Sequence, residues 1–281
     1  MSQYSADDVG GKKLERVERI LRNDIEAGRL RDGAALPSSR DLAEQMGVSA
    51  WTVSKAIEQL VADGLVEAIS RSRRIVRSGI TAPTESGKPR RPHVFLIGGY
   101  AGSGKSELSR VLSRVTGSAI VDKDTTTRAV VERLLEELGR PAHDRESQTY
   151  LEHVRPFEYE ALLATIEENA EVGVGVIATA PFIREFQDAA WIERIGTRLN
   201  AAGVGLSLVW VRCDATTMHT YLKRRGAARD TGKLSNWDDY IAGIDLAFQP
   251  AADHVIIDNS ASSEPLQSQA TKMLATISAA A

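Results

Sequence analysis

The chain of 281 residues is 42% hydrophobic and 26% charged with a formal net charge of −3, a length that suits two globular units and a balance that excludes a uniformly basic nucleic-acid binder. A local basic face stays open. The single cysteine, Cys213, excludes an internal disulfide, the opening residues lack the apolar core of a secretory signal, and no stretch approaches the roughly 18 to 20 apolar residues of a membrane span, so a cytoplasmic protein without a membrane partner is expected.

Leu14, Val17, Leu21 and Ile25 recur at helical spacing and predict a first amphipathic helix that stops near Gly28. Ser38, with Asp41 three residues later, forms a capping-box signal for a second, short helix ending at Gly47. Ser49 caps a third helix whose inward face carries Val53, Ile57, Leu60 and Val61, and Asp63-Gly64 closes it. A β-prone hairpin over 65–77 follows, bearing Arg71, Arg73, Arg74 and Arg77. Helix, helix, tight turn, helix and basic hairpin predict a winged helix-turn-helix over 1–78; a plain helical domain with a solvated arginine run is the alternative.

The segment LPSSRDLAEQMGVSAWTVSKAIEQLVADGLVEA resembles the DNA-binding module of the GntR family of bacterial transcription regulators. That resemblance implies contacts to double-stranded operator DNA from Ser38, Arg40, Ser49, Trp51, Thr52, Lys55 and the wing residues Arg71, Arg73 and Arg74, and a homodimer reading a two-fold site. The chain departs from the family pattern at Ala50 and Ser54, where arginines are common, and the wing tip lacks the usual glycines, so the operator sequence does not follow.

Residues 79–92, GITAPTESGKPRRP, have the Pro, Gly, Ser and Thr content of a linker, through which ligand binding is expected to reach the DNA-binding module. Beyond it, HVFLIGGYAGSGKS is an apolar run that empties into a phosphate-cradling loop. Gly99, Gly102, Ser103 and Gly104 supply inward-turning backbone N–H groups, Lys105 reaches the β and γ oxygens of ATP or GTP, and Ser106 coordinates Mg²⁺. Leu108, Val111, Leu112 and Val115 form the apolar stripe of the helix that opens at Lys105.

Further strands are predicted at 119–121, 174–178, 206–211 and 254–257, with helices between them and after the last. This alternation is that of an α/β doubly wound parallel sheet over 93–281. Asp122 and Asp124 follow the second of these strands, and the two-residue period of extended chain places both carboxylates toward the ligand side, for Mg²⁺ and for the proton of an acceptor hydroxyl. Capping of the next helix is the alternative role for either. The stretch YLKRRGAARDTGKLSNWDDY places Arg224, Arg225, Arg229 and Lys233 around Gly226, as in a lid that closes on transferring phosphate; a solvated basic surface is the alternative.

The phosphate loop, VDKDTTTR, the arginine-rich stretch and HVIIDNS together resemble the small P-loop kinases grouped with gluconate and shikimate kinases, chloramphenicol phosphotransferase and zeta-toxin-like proteins, over 93–260. The resemblance implies five parallel strands, catalytic roles for Lys105, Asp124, Arg225 and Arg229, metal at Ser106 and Asp122, adenine near Asn259, and an acceptor near Asp124, Arg128, Pro181 and Phe182. Thr179 stands where relatives often carry an acidic residue.

Three readings follow: a regulator whose effector domain is an ATP-dependent small-molecule kinase, a pure nucleotide or ligand sensor, and a kinase whose first module serves only for docking. The acceptor is undetermined. His143, Arg145, Tyr150, His153 and Arg155 in 140–157 are candidate contacts, with polar helix surface as the expected role.

Overall fold

A computed structural model describes residues 6–70, 73–77 and 92–280. Arg71 and all of the expected linker except Pro92 lie outside the described residues. The first module comprises α1 (Ala6–Glu26), α2 (Ser39–Met46), α3 (Ala50–Ala62), β1 (Val66–Ala68) and β2 (Arg74–Val76), with the two strands antiparallel. Ser38 accepts a hydrogen bond from the Asp41 backbone N–H and Gly47 closes α2 in the left-handed conformation, while Ser49 caps α3 through Thr52 N–H. Val17, Leu21, Ile25, Val53, Ile57 and Leu60 share one core, and Val61 lies at its edge.

The second module contains a five-stranded, all-parallel sheet in the order β4-β5-β3-β6-β7, with β3 (His93–Gly98), β4 (Ala119–Asp122), β5 (Val176–Thr179), β6 (Gly205–Arg212) and β7 (His254–Asp258). β3 is central, and successive side chains feed opposite faces. Val94 and Leu96 pack with α7 (Arg155–Glu171), α8 (Ile183–Gln187) and α9 (Ala189–Ala201); Phe95 and Ile97 pack with α4 (Lys105–Thr116) and α13 (Leu266–Ala280). The remaining helices are α5 (Lys123–Glu137), α6 (Gln148–His153), α10 (Ala215–Arg225), α11 (Thr231–Ser235) and α12 (Trp237–Ala242).

Two sequence expectations shift. The third strand of this sheet begins at Val176 rather than 174, because Gly173, at φ +83°, and Val174, bonded back to the Asn169 carbonyl, complete the end of α7. Asp124 does not lie in extended chain. Asp122 ends β4 and caps α5 through the Thr125 N–H, so the helix has begun before Asp124 is reached and the two-residue period no longer applies.

The two modules pack directly. Ala27 joins the core formed by Phe95, Ile97 and Leu108, and Tyr221 of α10 joins the core of the first module. Arg114 donates to the carbonyls of Ile25 and Glu26 at the end of α1, and Arg19 donates to that of Glu264.

Candidate nucleotide site and DNA-reading face

The apolar strand β3 carries the chain to Gly99 at the carboxyl edge of the sheet, and α4 starts six residues later, leaving a loop whose backbone must fold tightly over the helix N-terminus. A side chain at Gly104, at φ +103°, would strike the Asn259 amide, and one at Gly99 would lie 2.6 Å from the Val211 carbonyl. Lys105 Nζ donates to the carbonyls of Gly99 and Tyr100 at 2.8 and 2.9 Å, holding the loop closed where phosphate oxygens would otherwise accept. Burial, with the Arg225 charge adding to it, lowers the Lys105 pKa to about 8 against the pull of Asp124 and Asp122.

The loop opens on a cavity of about 720 Å³, within the range of small-molecule sites. Asp122, Lys123 and Asp124 lie along its floor, with Thr179, Ala180 and Pro181 from the end of β5 beside them. Thr179 Oγ1 donates to Asp122 Oδ2 at 2.6 Å, so the residue in the place of an acid orients the carboxylate that remains. Asp122 thus serves both as helix cap and as cavity oxygen.

Asp124 is more heavily engaged. Its Oδ1 pairs with Lys123 Nζ at 3.0 Å and its Oδ2 with Arg229 at 2.6 Å. Burial alone would raise its pKa, but the Lys123 and Arg229 charges outweigh that and hold it at about 2. Behind it the Lys123 ammonium, almost fully buried, also pairs with Glu158 at 2.9 Å; Glu158 accepts from Thr127 and from the Tyr150 hydroxyl. Burial and the adjacent Glu158 charge push that phenol's pKa up. Lys123 and Glu158 were not anticipated from sequence; the only signal was a lysine between two aspartates.

Arg145, Tyr150, Arg155 and Tyr159 also line the cavity, so three of the five candidates in 140–157 face a ligand space and are not mere helix surface. Arg155 lies over the Tyr159 ring at 4.3 Å and pairs with Glu185 at 2.8 Å. His143 and His153 are exposed and do not line the cavity. The stretch after Gly226 also lines the cavity, with Arg225 bidentate on Asp230 at 2.8 and 2.7 Å and Lys233 on Glu146 at 2.8 Å.

Three expected contacts are corrected. Phe182 is fully buried, stacked on Phe186 at 5.1 Å, because its left-handed backbone (φ +49°) turns the ring into the core; Pro181 beside it does line the cavity. Arg128 is exposed on α5 and outside the lining, one helical turn beyond Asp124. Asn259 is fully buried rather than beside a base: its Nδ2 donates to the Ser103 carbonyl at 3.0 Å and its Oδ1 accepts from Asn23 of α1 at 2.7 Å.

A Mg²⁺ ion in such a cavity takes one or two protein oxygens and fills the rest of its octahedron with phosphate and water. Exposed Ser106 at the start of α4 and Asp122 on the cavity floor fit that demand. Among the described residues no cluster of three His, Cys, Asp or Glu forms a self-sufficient metal cage, as this mode of binding permits.

On the first module, Trp51, 67% exposed, and Lys55 lie one turn apart on the outer face of α3, with Arg40 exposed on α2 and Arg73 on the wing. Lys55 pairs with Glu58. Ser38 and Ser49 are exposed caps. Thr52 is corrected: it is buried, its hydroxyl bonded to Ser49 Oγ at 2.8 Å, so it builds the helix start. Arg74 is half-buried and donates to Ser39 Oγ at 3.1 Å, tying the wing to α2.

Residues 94–247 match the AAA domain family, and residues 13–76 match the bacterial regulatory proteins of the gntR family. The chain is 31% identical over 111 residues to the vitamin B6 salvage pathway transcriptional repressor PtsJ of Salmonella typhimurium strain LT2, covering 38% of this chain and 26% of that protein. It thus spans about a quarter of that relative's length. A sugar kinase from Janibacter sp. HTCC2649 superposes with a TM-score of 0.44 at 16% identity, over 67% of this chain and 95% of that one. A gluconokinase from Sinorhizobium meliloti 1021 gives 0.42 at 18% identity, over 67% and 94%. The chain therefore belongs to the AAA domain family, with a winged helix of the gntR family packed against its phosphate-loop domain.

Proposed function

We propose that the protein is a cytoplasmic, DNA-binding transcription regulator, homodimeric on its operator, whose phosphate-loop domain binds Mg-ATP and phosphorylates a small hydroxyl-bearing metabolite. The observation that carries this reading is one cavity lined at once by Lys105 and Ser106 of the phosphate loop, by Asp122 and Asp124, and by the aromatic and cationic side chains Arg145, Tyr150, Arg155 and Tyr159. A phosphate-binding loop alone needs no such additional lining; a transfer reaction needs groups to hold an acceptor.

In this reading, the acceptor hydroxyl lies against Asp124 and attacks the γ-phosphorus in line. The bond to the β–γ bridging oxygen breaks, ADP leaves, and the hydroxyl proton passes to Asp124 as the new P–O bond acidifies it. A carboxylate near pKa 2 is a weak base, and the loose transition state of phosphoryl transfer asks for little proton removal before bond formation. Lys105 and, once released from their carboxylates, Arg225 and Arg229 take up the charge on the transferring oxygens. Mg²⁺, held through Ser106 and Asp122, would screen the phosphates.

A second reading, a sensor without turnover, is favoured by one observation: Arg225 and Arg229 are both neutralised by protein carboxylates, Asp230 and Asp124. ADP release and product mass measured with Mg-ATP against sugars, nucleosides and antibiotics separate the two. A phosphorylated product with stoichiometric ADP is expected. Tight ATP binding with no product from any acceptor that itself shifts thermal stability would establish the sensor instead.

A further inference from the structure

The cavity does not end at the phosphate loop. Its lining also includes Leu222 and Arg224 of α10 and Asp24 and Arg29, which belong to the winged-helix module. Arg29 pairs with Glu107, one residue beyond Ser106 in the first turn of α4, and Arg224 pairs with Asp24. Asp24 is almost fully buried between these two cations, whereas the Arg29 side chain keeps 42% of its exposure and so retains room to meet a ligand.

Transfer geometry fixes which way a nucleotide runs. The γ-phosphoryl must face Asp124 and the acceptor end, so the phosphate chain crosses the N-terminus of α4 and the nucleoside leaves in the opposite direction, past Glu107. Resting on the function proposed above, we propose that the nucleoside half of the bound nucleotide is held by Arg29 and Asp24 of the DNA-binding module together with Arg224. The nucleotide site is then completed by the module that reads DNA.

The same stretch of α1 reaches the loop through Asn259. Asn23 donates to Asn259 at 2.7 Å and to the Tyr221 hydroxyl at 2.6 Å, and Asn259 holds the Ser103 carbonyl. Nucleotide on the loop and α1 share one hydrogen-bonded path of two protein links. This is a route between the modules in addition to the one expected through the linker at 79–92. By reciprocity, whatever nucleotide does to the docking of α1, operator DNA must do to nucleotide affinity.

The test uses the full-length chain and separates the two halves of the ligand. Affinities for ATP and for inorganic tripolyphosphate are measured by calorimetry in wild type, Arg29→Ala, Asp24→Asn and Lys105→Ala. Loss of a charged hydrogen-bonding partner predicts that Arg29→Ala weakens ATP about ten-fold or more while tripolyphosphate changes by less than about two-fold. Lys105→Ala should weaken both. Photolabelling with 8-azido-ATP is expected to mark peptides flanking Arg29, a readout that does not depend on variant stability. An Arg29→Ala variant that binds ATP as wild type does, or loses ATP and tripolyphosphate alike, would overturn the proposal, as would labels confined to 93–281. Failure of wild type to bind either ligand would instead overturn the phosphate-loop reading itself.

Discussion

Lys105 supplies a prediction whose size follows from its surroundings. With its pKa lowered to about 8 by burial and by Arg225, the empty loop at pH 9 has lost about nine tenths of the ammonium protons, and at pH 7 only about one tenth. Triphosphate places negative charge against the same nitrogen and restores a pKa at or above the ordinary value of 10.5. Binding must therefore take up about 0.1, 0.5 and 0.9 proton at pH 7, 8 and 9, and ATP affinity should fall about ten-fold from pH 7 to 9. The phosphate's own last proton, with a pKa near 6, is still about one tenth bound at pH 7 and essentially gone by pH 8, so the rise between pH 8 and 9 belongs to Lys105. Calorimetry in pairs of buffers with different ionisation heats measures the uptake, and Lys105→Arg, which stays charged, should abolish it. For the empty protein the sign is opposite: the unfolded chain binds the extra proton, so stability rises as pH climbs from about 8 toward 10.5. Proton uptake that is flat from pH 7 to 9, or unchanged in Lys105→Arg, would refute the argument.

Asp124→Asn should leave ATP affinity near that of wild type and lower turnover by about 10² to 10⁴-fold in the acceptor assay. Because the change also frees Arg229, a small gain in ATP affinity is expected from the same titrations. Gly104→Ala forces a methyl onto the Asn259 amide at a left-handed backbone; urea unfolding should record a loss of about 3 kcal/mol or more, and ATP binding should fail. On the wing, Arg73→Ala should weaken binding to all DNA sequences alike and reduce the salt slope by about 0.9, read by fluorescence anisotropy. Arg74→Ala should instead lower thermal stability, since its guanidinium holds Ser39.

Much of the fold was legible because its signals are local. The caps at Ser38 and Ser49, the stripe of Leu108, Val111 and Leu112, and the glycines between β3 and α4 are written within a few residues of where they act. The central strands β3 and β5, being buried on both faces, stood out as apolar runs.

The sequence by itself determined a winged helix ahead of a phosphate loop, because helix periodicity and turn chemistry depend on neighbours along the chain. Only the tertiary structure decided what meets across it. Asp124 was legible as a carboxylate near the loop, but its capture by Lys123 and Arg229 requires α5 and the lid to converge. Asn259 was placed at the right strand end, yet whether its amide meets a base or the Ser103 carbonyl depends on the packing of β7 against α1. Arg29 and Asp24 carried no signal at all, since apolar patterning records which face is buried and not which distant polar groups share the space that remains.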